Sequence, residues 1–88
     1  MVEPSVVEER IREGLGDVEV IDLEDLTGTK DHYRAVIVSP TFVGKSRVEM
    51  HQAVYAALGE LIQGSSAPVH ALSLSTYTPE AWQARQGQ

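Results

Sequence analysis

The sequence predicts a small two-layer α+β domain with the element order α-β-β-α-β-α. Three observations support this class: two Ser-x-x-Glu capping boxes that each precede an apolar periodicity of helical spacing, one strongly β-branched run, and a Thr-Pro-Glu helix start near the C-terminus. With 88 residues and 42% hydrophobic residues, the chain is long enough for one core. We therefore expect a single domain over residues 1–88, with a core of about residues 5–83 and a frayed tail at 84–88.

The first helix is predicted over residues 5–15. Ser5 and Glu8 fit a capping box, and Gly16 is suited to end the helix. Between them an apolar stripe repeats every four residues, at Val7, Ile11 and Leu15.

Two strands should follow, over residues 18–23 and 32–39, separated by a polar loop at 24–31. The second is the stronger, because its residues alternate between two faces and Pro40 cannot continue a ladder. The short connection predicts an antiparallel hairpin.

The main helix is predicted over residues 46–62, from the Ser46–Glu49 capping box to a stop at Gly64. A linker at 65–68 leads to a third strand over 69–76. Because this strand arrives after a helix, it can pair in parallel with one of the others, in a mixed sheet with the helices on one face.

The last helix should begin at Thr78, with Pro79 in its first turn. The order of the strands in the sheet does not follow from the sequence.

The charge distribution limits the function classes. The net charge is −6, and ten of the thirteen carboxylates lie at or before Asp31, so a clustered basic footprint for nucleic acid is absent. No apolar run reaches the ~20 residues of a membrane span, and the N-terminus lacks a signal-peptide pattern, so we expect a cytoplasmic protein.

The chain has three histidines and no cysteine, so any metal chemistry must use imidazole or carboxylate, or sulfur from a partner. His70 is either a strand-entry residue bonded to a neighbouring carbonyl or a metal ligand. His32 is either a polar strand start or a second ligand on the acidic loop. His51 lies on the apolar helix face, where a packing or boundary role is the ordinary interpretation.

Catalytic templates are missing from the sequence. There is no cysteine nucleophile, Gly-x-Ser-x-Gly or His-Glu-x-x-His motif, and Gly28 alone makes no phosphate-binding loop. We therefore expect a protein that is not an enzyme.

Three motifs in natural order resemble the BolA family: Ser39-x-x-Phe42-x-Gly44, His70-Ala-Leu-Ser73 and Thr78-Pro-Glu-x-Trp82. The resemblance covers about residues 5–83 and is closest to short bacterial and cyanobacterial-type members.

The resemblance implies a KH-like (class II) fold and partnership with a monothiol glutaredoxin. In such complexes a [2Fe-2S] cluster is shared, with thiolates from the glutaredoxin and glutathione. His70 would be one ligand from this chain, and His32 the candidate for the second. The implied role is iron–sulfur cluster trafficking or iron/redox regulation, with no cluster in the isolated protein.

Two other functions stay open at this point. The first is a KH-like nucleic-acid-binding transcriptional regulator that contacts phosphate through Arg34, Lys45 and Arg47. Its support is weak, because no GXXG loop is present and Met50 stands where many members carry arginine. The second is an interaction module that forms a homodimer through an exposed sheet edge.

Overall fold

A computed structural model of the chain describes residues 3–26, 28, 32–62, 67, 69 and 71–86. Its helices and strands follow the predicted order: α1 (Pro4–Leu15), β1 (Val20–Asp25), β2 (His32–Val38), α2 (Arg47–Leu58), β3 (Ala71–Tyr77) and α3 (Pro79–Gln86). Short 3-10 turns at Pro40–Phe42 and Gly59–Leu61 flank α2. The α+β class is confirmed. Across the described residues, no helix has the length and apolar character that a bilayer crossing requires.

The three strands form one mixed sheet in the order β1-β2-β3. β1 and β2 are antiparallel, as a short connection requires, and β3 runs parallel to β2 after the crossover through α2. The central position of β2 agrees with its being the most apolar strand of the sequence.

The core lies between one face of the sheet and the helices α1 and α2. Tyr33, Ala35 and Ile37 of β2 are fully buried, as their alternation predicts, together with the predicted stripe residues Val7 and Ile11 of α1. The two helices pack closely enough that Gly14 of α1 lies directly against Ala57 of α2. The packed pair α1 and α2 thus forms the helical layer that covers this face of the sheet.

α3 differs from the expectation that all helices cover one face. Its Trp82 ring lies 5.3 Å from the Tyr77 ring, and its Arg85 guanidinium lies 5.5 Å above that same ring. Tyr77 alternates with core-packed Leu74, so it belongs to the opposite face of the sheet. The contacts of Trp82 and Arg85 with Tyr77 therefore place α3 on that side of the sheet.

Several helices also begin or end at residues other than those predicted from the sequence. α1 begins at Pro4, so Ser5 lies inside the helix and the Ser5–Glu8 capping box is wrong; proline at the first helical position sets the start. α2 ends at Leu58 and is followed by a 3-10 turn that begins at Gly59, where a φ of +52° favours glycine. The helix therefore ends before the predicted Gly64, which lies outside the described residues. At the C-terminus α3 extends through Gln86, so residues 84–86 are helical rather than frayed.

β1 is shifted by two residues relative to the prediction and β3 begins two residues later, whereas β2 begins at His32 as predicted. β1 extends to Asp25 because it pairs with β2 as far as Tyr33, and the cross-strand Glu24–Arg34 ion pair compensates for the polar composition. β3 begins at Ala71 rather than at residue 69.

Candidate functional site

His32 occupies the first position of β2 and is half-buried. In the parallel pairing of β2 with β3 its Cα partner is Ala71, the first residue of β3. Its carbonyl oxygen accepts a hydrogen bond from the Leu26 N–H at 2.9 Å, so the main chain of His32 is bonded to the end of the β1 segment.

Before His32, the structure describes a local hydrogen bond between Asp25 and Gly28. The carboxylate of Asp25 accepts a hydrogen bond from the Gly28 N–H at 3.0 Å, in the manner of an Asx turn. Gly28 has a φ of +77°, which a residue with a Cβ rarely adopts.

His70 lies outside the described residues, as does most of the predicted linker at 65–68. Its role as a ligand, and the distance between its ring and that of His32, stay predictions. In the residues that the structure describes, no group of three or more histidine, aspartate and glutamate side chains is arranged to hold a metal ion.

His51 is half-buried on α2 and is not among the fully buried core residues. It lines a cavity of about 290 Å³ together with Arg47, one helical turn earlier, and residues 74–77 of β3. This boundary position agrees with the ordinary interpretation of His51. The sequence reasoning missed the cavity, although the i,i+4 spacing of Arg47 and His51 is visible in the chain.

The three candidate phosphate-binding residues lie in different surroundings. Arg34 is paired with Glu24 at 2.8 Å on the face of the sheet that carries α3, whereas Arg47 lines the cavity beside His51.

Lys45 lies near the carboxylate of Glu49. The pKa of Glu49 is lowered by the hydrogen bond from the Ser46 backbone N–H, then by the Ser46 hydroxyl, and to a smaller extent by the Lys45 charge. Both hydrogen bonds of the predicted Ser46–Glu49 capping box are present, at 2.9 and 3.2 Å. Two of the three cations thus have a carboxylate neighbour.

A second cavity, of about 320 Å³, lies on the face of the sheet that carries α3. It combines two carboxylates, two arginines and two aromatic rings, and its lining is Asp22, Glu24, Arg34, Val36, Ser75, Tyr77, Trp82 and Arg85. Sequence reasoning missed this cavity, because it depends on α3 folding back over Tyr77.

Comparison with known proteins gives a consistent result. The profile of the family described as BolA-like protein matches residues 16–81. The DNA-binding transcriptional regulator BolA of Haemophilus influenzae is 40% identical over 58 residues, which cover 66% of this chain and 53% of that protein. The chain therefore spans about half the length of this curated relative. Names among the curated relatives are those of regulators, BolA-like proteins and uncharacterized proteins rather than enzymes.

Solved structures extend the similarity to nearly the whole chain. A bol-like protein from Babesia bovis superposes with a TM-score of 0.82 at 30% identity, over 98% of this chain and 95% of that one. A bolA protein homologue from Coxiella burnetii gives a TM-score of 0.76 at 37% identity, over 94% and 99% of the two chains. Sequence and architecture thus agree, and the chain belongs to the BolA-like protein family.

Proposed function

We propose that this chain is a non-enzymatic adaptor that binds a monothiol glutaredoxin and shares a [2Fe-2S] cluster with it. His70 and His32 are the two ligands from this chain, and the process served is iron–sulfur cluster trafficking or iron/redox regulation.

The observation that carries the proposal is the register of β2 against β3. His32 pairs with Ala71, and neighbouring strands lie about 4.8 Å apart. His70 immediately precedes Ala71 in the sequence. The register thus brings the start of β3, the residue next to the predicted ligand His70, beside His32, and this supports a site in which the two histidines bind one iron atom.

The ligands available in this chain support a cluster that is shared with a partner protein. The sequence has no cysteine, so all thiolates of a cluster must come from the partner and from glutathione. Two imidazoles can complete one iron atom, and imidazole in place of thiolate raises the reduction potential, as in Rieske centres.

The position of His32 suits a shared site. Its half-buried side chain starts a strand whose main chain is fixed by Leu26, so little conformational freedom is lost when a ligand binds. Binding residues are commonly found on such loop–strand junctions of a rigid scaffold.

The experiment uses visible circular dichroism of a cluster-loaded monothiol glutaredoxin, recorded during addition of this protein. The wild-type protein should convert the glutaredoxin spectrum into that of a heterocomplex. His70→Ala should abolish the conversion, and His32→Ala should weaken it or alter the final spectrum. His51→Ala is the matched control and should behave like wild type. A heterocomplex spectrum that is unchanged by His70→Ala would show that the ligand assignment is wrong.

The alternative function is transcriptional regulation through nucleic-acid binding, and the name of the Haemophilus relative favours testing it. Gel-shift titration of a DNA duplex across a salt series measures the number of phosphates neutralised. With Arg34 and Lys45 each beside a carboxylate, we expect weak binding with a shallow salt dependence. A steep salt dependence that falls on Arg47→Gln would favour the regulator instead.

A further inference from the structure

We propose that the outer edge of β3 accepts an extended acidic segment of a partner protein as an added strand, with Arg47 and His51 binding its carboxylates. This inference uses a different part of the chain from the proposed cluster ligands and does not depend on them.

The first observation is the free hydrogen-bonding edge of β3. In the strand order β1-β2-β3, β3 is terminal, and no described strand pairs with its outer side. The Tyr77 carbonyl accepts a hydrogen bond from the Ser39 N–H, so Tyr77 directs its peptide groups toward β2. Because alternate residues of a strand bond to opposite sides, Leu74 and Thr76 direct their N–H and C=O groups outward.

The second observation is the composition of the two sheet edges. The other edge strand, β1, carries Asp22, Glu24 and Asp25, and charged edge residues oppose unwanted strand pairing. β3 reads Ala-Leu-Ser-Leu-Ser-Thr-Tyr, with no charged residue and no proline over seven residues. Since proteins usually protect such edges, an unprotected one is a template for strand addition.

The third observation identifies the charge of the occupant. Arg47 and His51 line a cavity along residues 74–77, directly beside the outward peptide groups. Arg47 is exposed, and among the described residues it has no ion-pair partner. The Arg47 guanidinium beside this strand edge, with the His51 imidazole next to it, in a chain of net charge −6, fits a segment that carries carboxylates.

The same charges argue against a second copy of this chain as the occupant. Pairing β3 with β3 of a copy would bring two Arg47–His51 pairs to one interface and join two chains of charge −6. Like charges at an interface are unfavourable, so we expect a partner of different composition.

The test measures binding of a fluorescein-labelled peptide of about eight residues with alternating valine and glutamate, a typical strand length. Fluorescence anisotropy gives the affinity, and NMR hydrogen exchange reports the Leu74 and Thr76 amides. Binding should slow exchange at both amides. The same peptide with lysine in place of glutamate, or with N-methylated alternate amides, should bind at least about fivefold more weakly.

Two pairs of protein variants locate the site. Arg47→Gln should weaken binding of the acidic peptide about fivefold, whereas Arg12→Gln, which removes the same charge from α1, should not. Thr76→Pro removes one outward N–H and should weaken binding further, while Thr76→Val keeps that N–H and should bind like wild type. Far-UV circular dichroism checks the fold of each variant, and the N-methylated peptide tests the same hydrogen bonds on the unmodified protein.

The inference is overturned if the acidic peptide does not bind, or binds without protecting Leu74 and Thr76. It is also overturned if analytical ultracentrifugation shows that the protein alone dimerises with those two amides protected. In that case the edge is occupied by a second copy.

Discussion

The contact between α1 and α2 at Gly14 gives a sharp stability prediction. A Cβ built on Gly14 would lie 2.7 Å from the Cα of Ala57 and closer still to its Cβ. Carbon atoms in contact are normally separated by about 3.5–4.0 Å. Because the obstacle is backbone, Gly14→Ala requires the two helices to move apart by about 1 Å.

Two opposing contributions determine how much Gly14→Ala changes the free energy of unfolding. Alanine is better than glycine in a helix by about 1 kcal/mol, whereas overpacking costs about 1–3 kcal/mol. Since a helix backbone must shift, we take the upper part of the overpacking range. We therefore expect the free energy of unfolding to fall by about 1–2 kcal/mol. For a domain of this size the melting temperature should fall by about 5–15 °C. Urea denaturation monitored by far-UV circular dichroism measures the difference in unfolding free energy.

A double-mutant cycle isolates the contact. Adding Ala57→Gly to Gly14→Ala restores space, so the double variant should be more stable than the sum of the single effects by about 1–3 kcal/mol. Glu13→Ala, at an exposed position of the same helix, should change stability by less than about 0.5 kcal/mol. If Gly14→Ala is as stable as wild type, helix propensity dominates and the close approach of the two helices is refuted.

Three further predictions concern polar groups. Ser46→Ala should lower the free energy of unfolding by about 1 kcal/mol through loss of the α2 cap, with Ser73→Ala as an exposed serine control; equal effects would contradict the capping role. Because the Ser46 N–H lowers the pKa of Glu49, the stabilisation from this carboxylate is present above its unfolded pKa of about 4.3 and is lost as the pH falls through the lower folded pKa. NMR titration should therefore find the pKa of Glu49 below its ordinary value in wild type. Ser46→Ala removes the hydroxyl but keeps the backbone N–H, so the pKa should rise only part of the way toward the ordinary value; an identical pKa in the two proteins would refute the contribution of the hydroxyl. Ser39→Ala should cost about 1 kcal/mol in urea denaturation, because the buried Ser39 hydroxyl donates to the Asp17 carbonyl and accepts from the Thr41 N–H; an unchanged midpoint would contradict this.

Local signals in the sequence determined the elements and their order. Capping residues, the β-branched run of β2 and the proline and glycine positions act through neighbouring backbone, so they can be read without knowledge of the fold. The errors fall where a second local signal or a tertiary partner competes. Pro4 sets the start of α1 instead of Ser5, and pairing with β2 extends β1 into residues that resemble a loop.

The candidate site also depends partly on local sequence signals and partly on tertiary structure. The sequence alone identified His32 and His70 as the residues to consider, and the absence of cysteine directed attention to sulfur from a partner. Whether they belong to neighbouring strands depends on strand order, which is decided by how β3 packs after the crossover. The tertiary structure decided that β3 lies beside β2 with His32 opposite Ala71.

Two surfaces depend on tertiary structure entirely. The Arg47–His51 cavity requires α2 to lie along the edge of β3, and the second cavity requires α3 to cover Tyr77 on the opposite face. Residues 47–51 and 74–77 are distant in the sequence, as are α3 and the β1 and β2 residues that line the second cavity, so they meet only when the core closes. Composition and short-range spacing thus determined which elements and side chains this protein has, while the burial of the sheet determined which of them became neighbours.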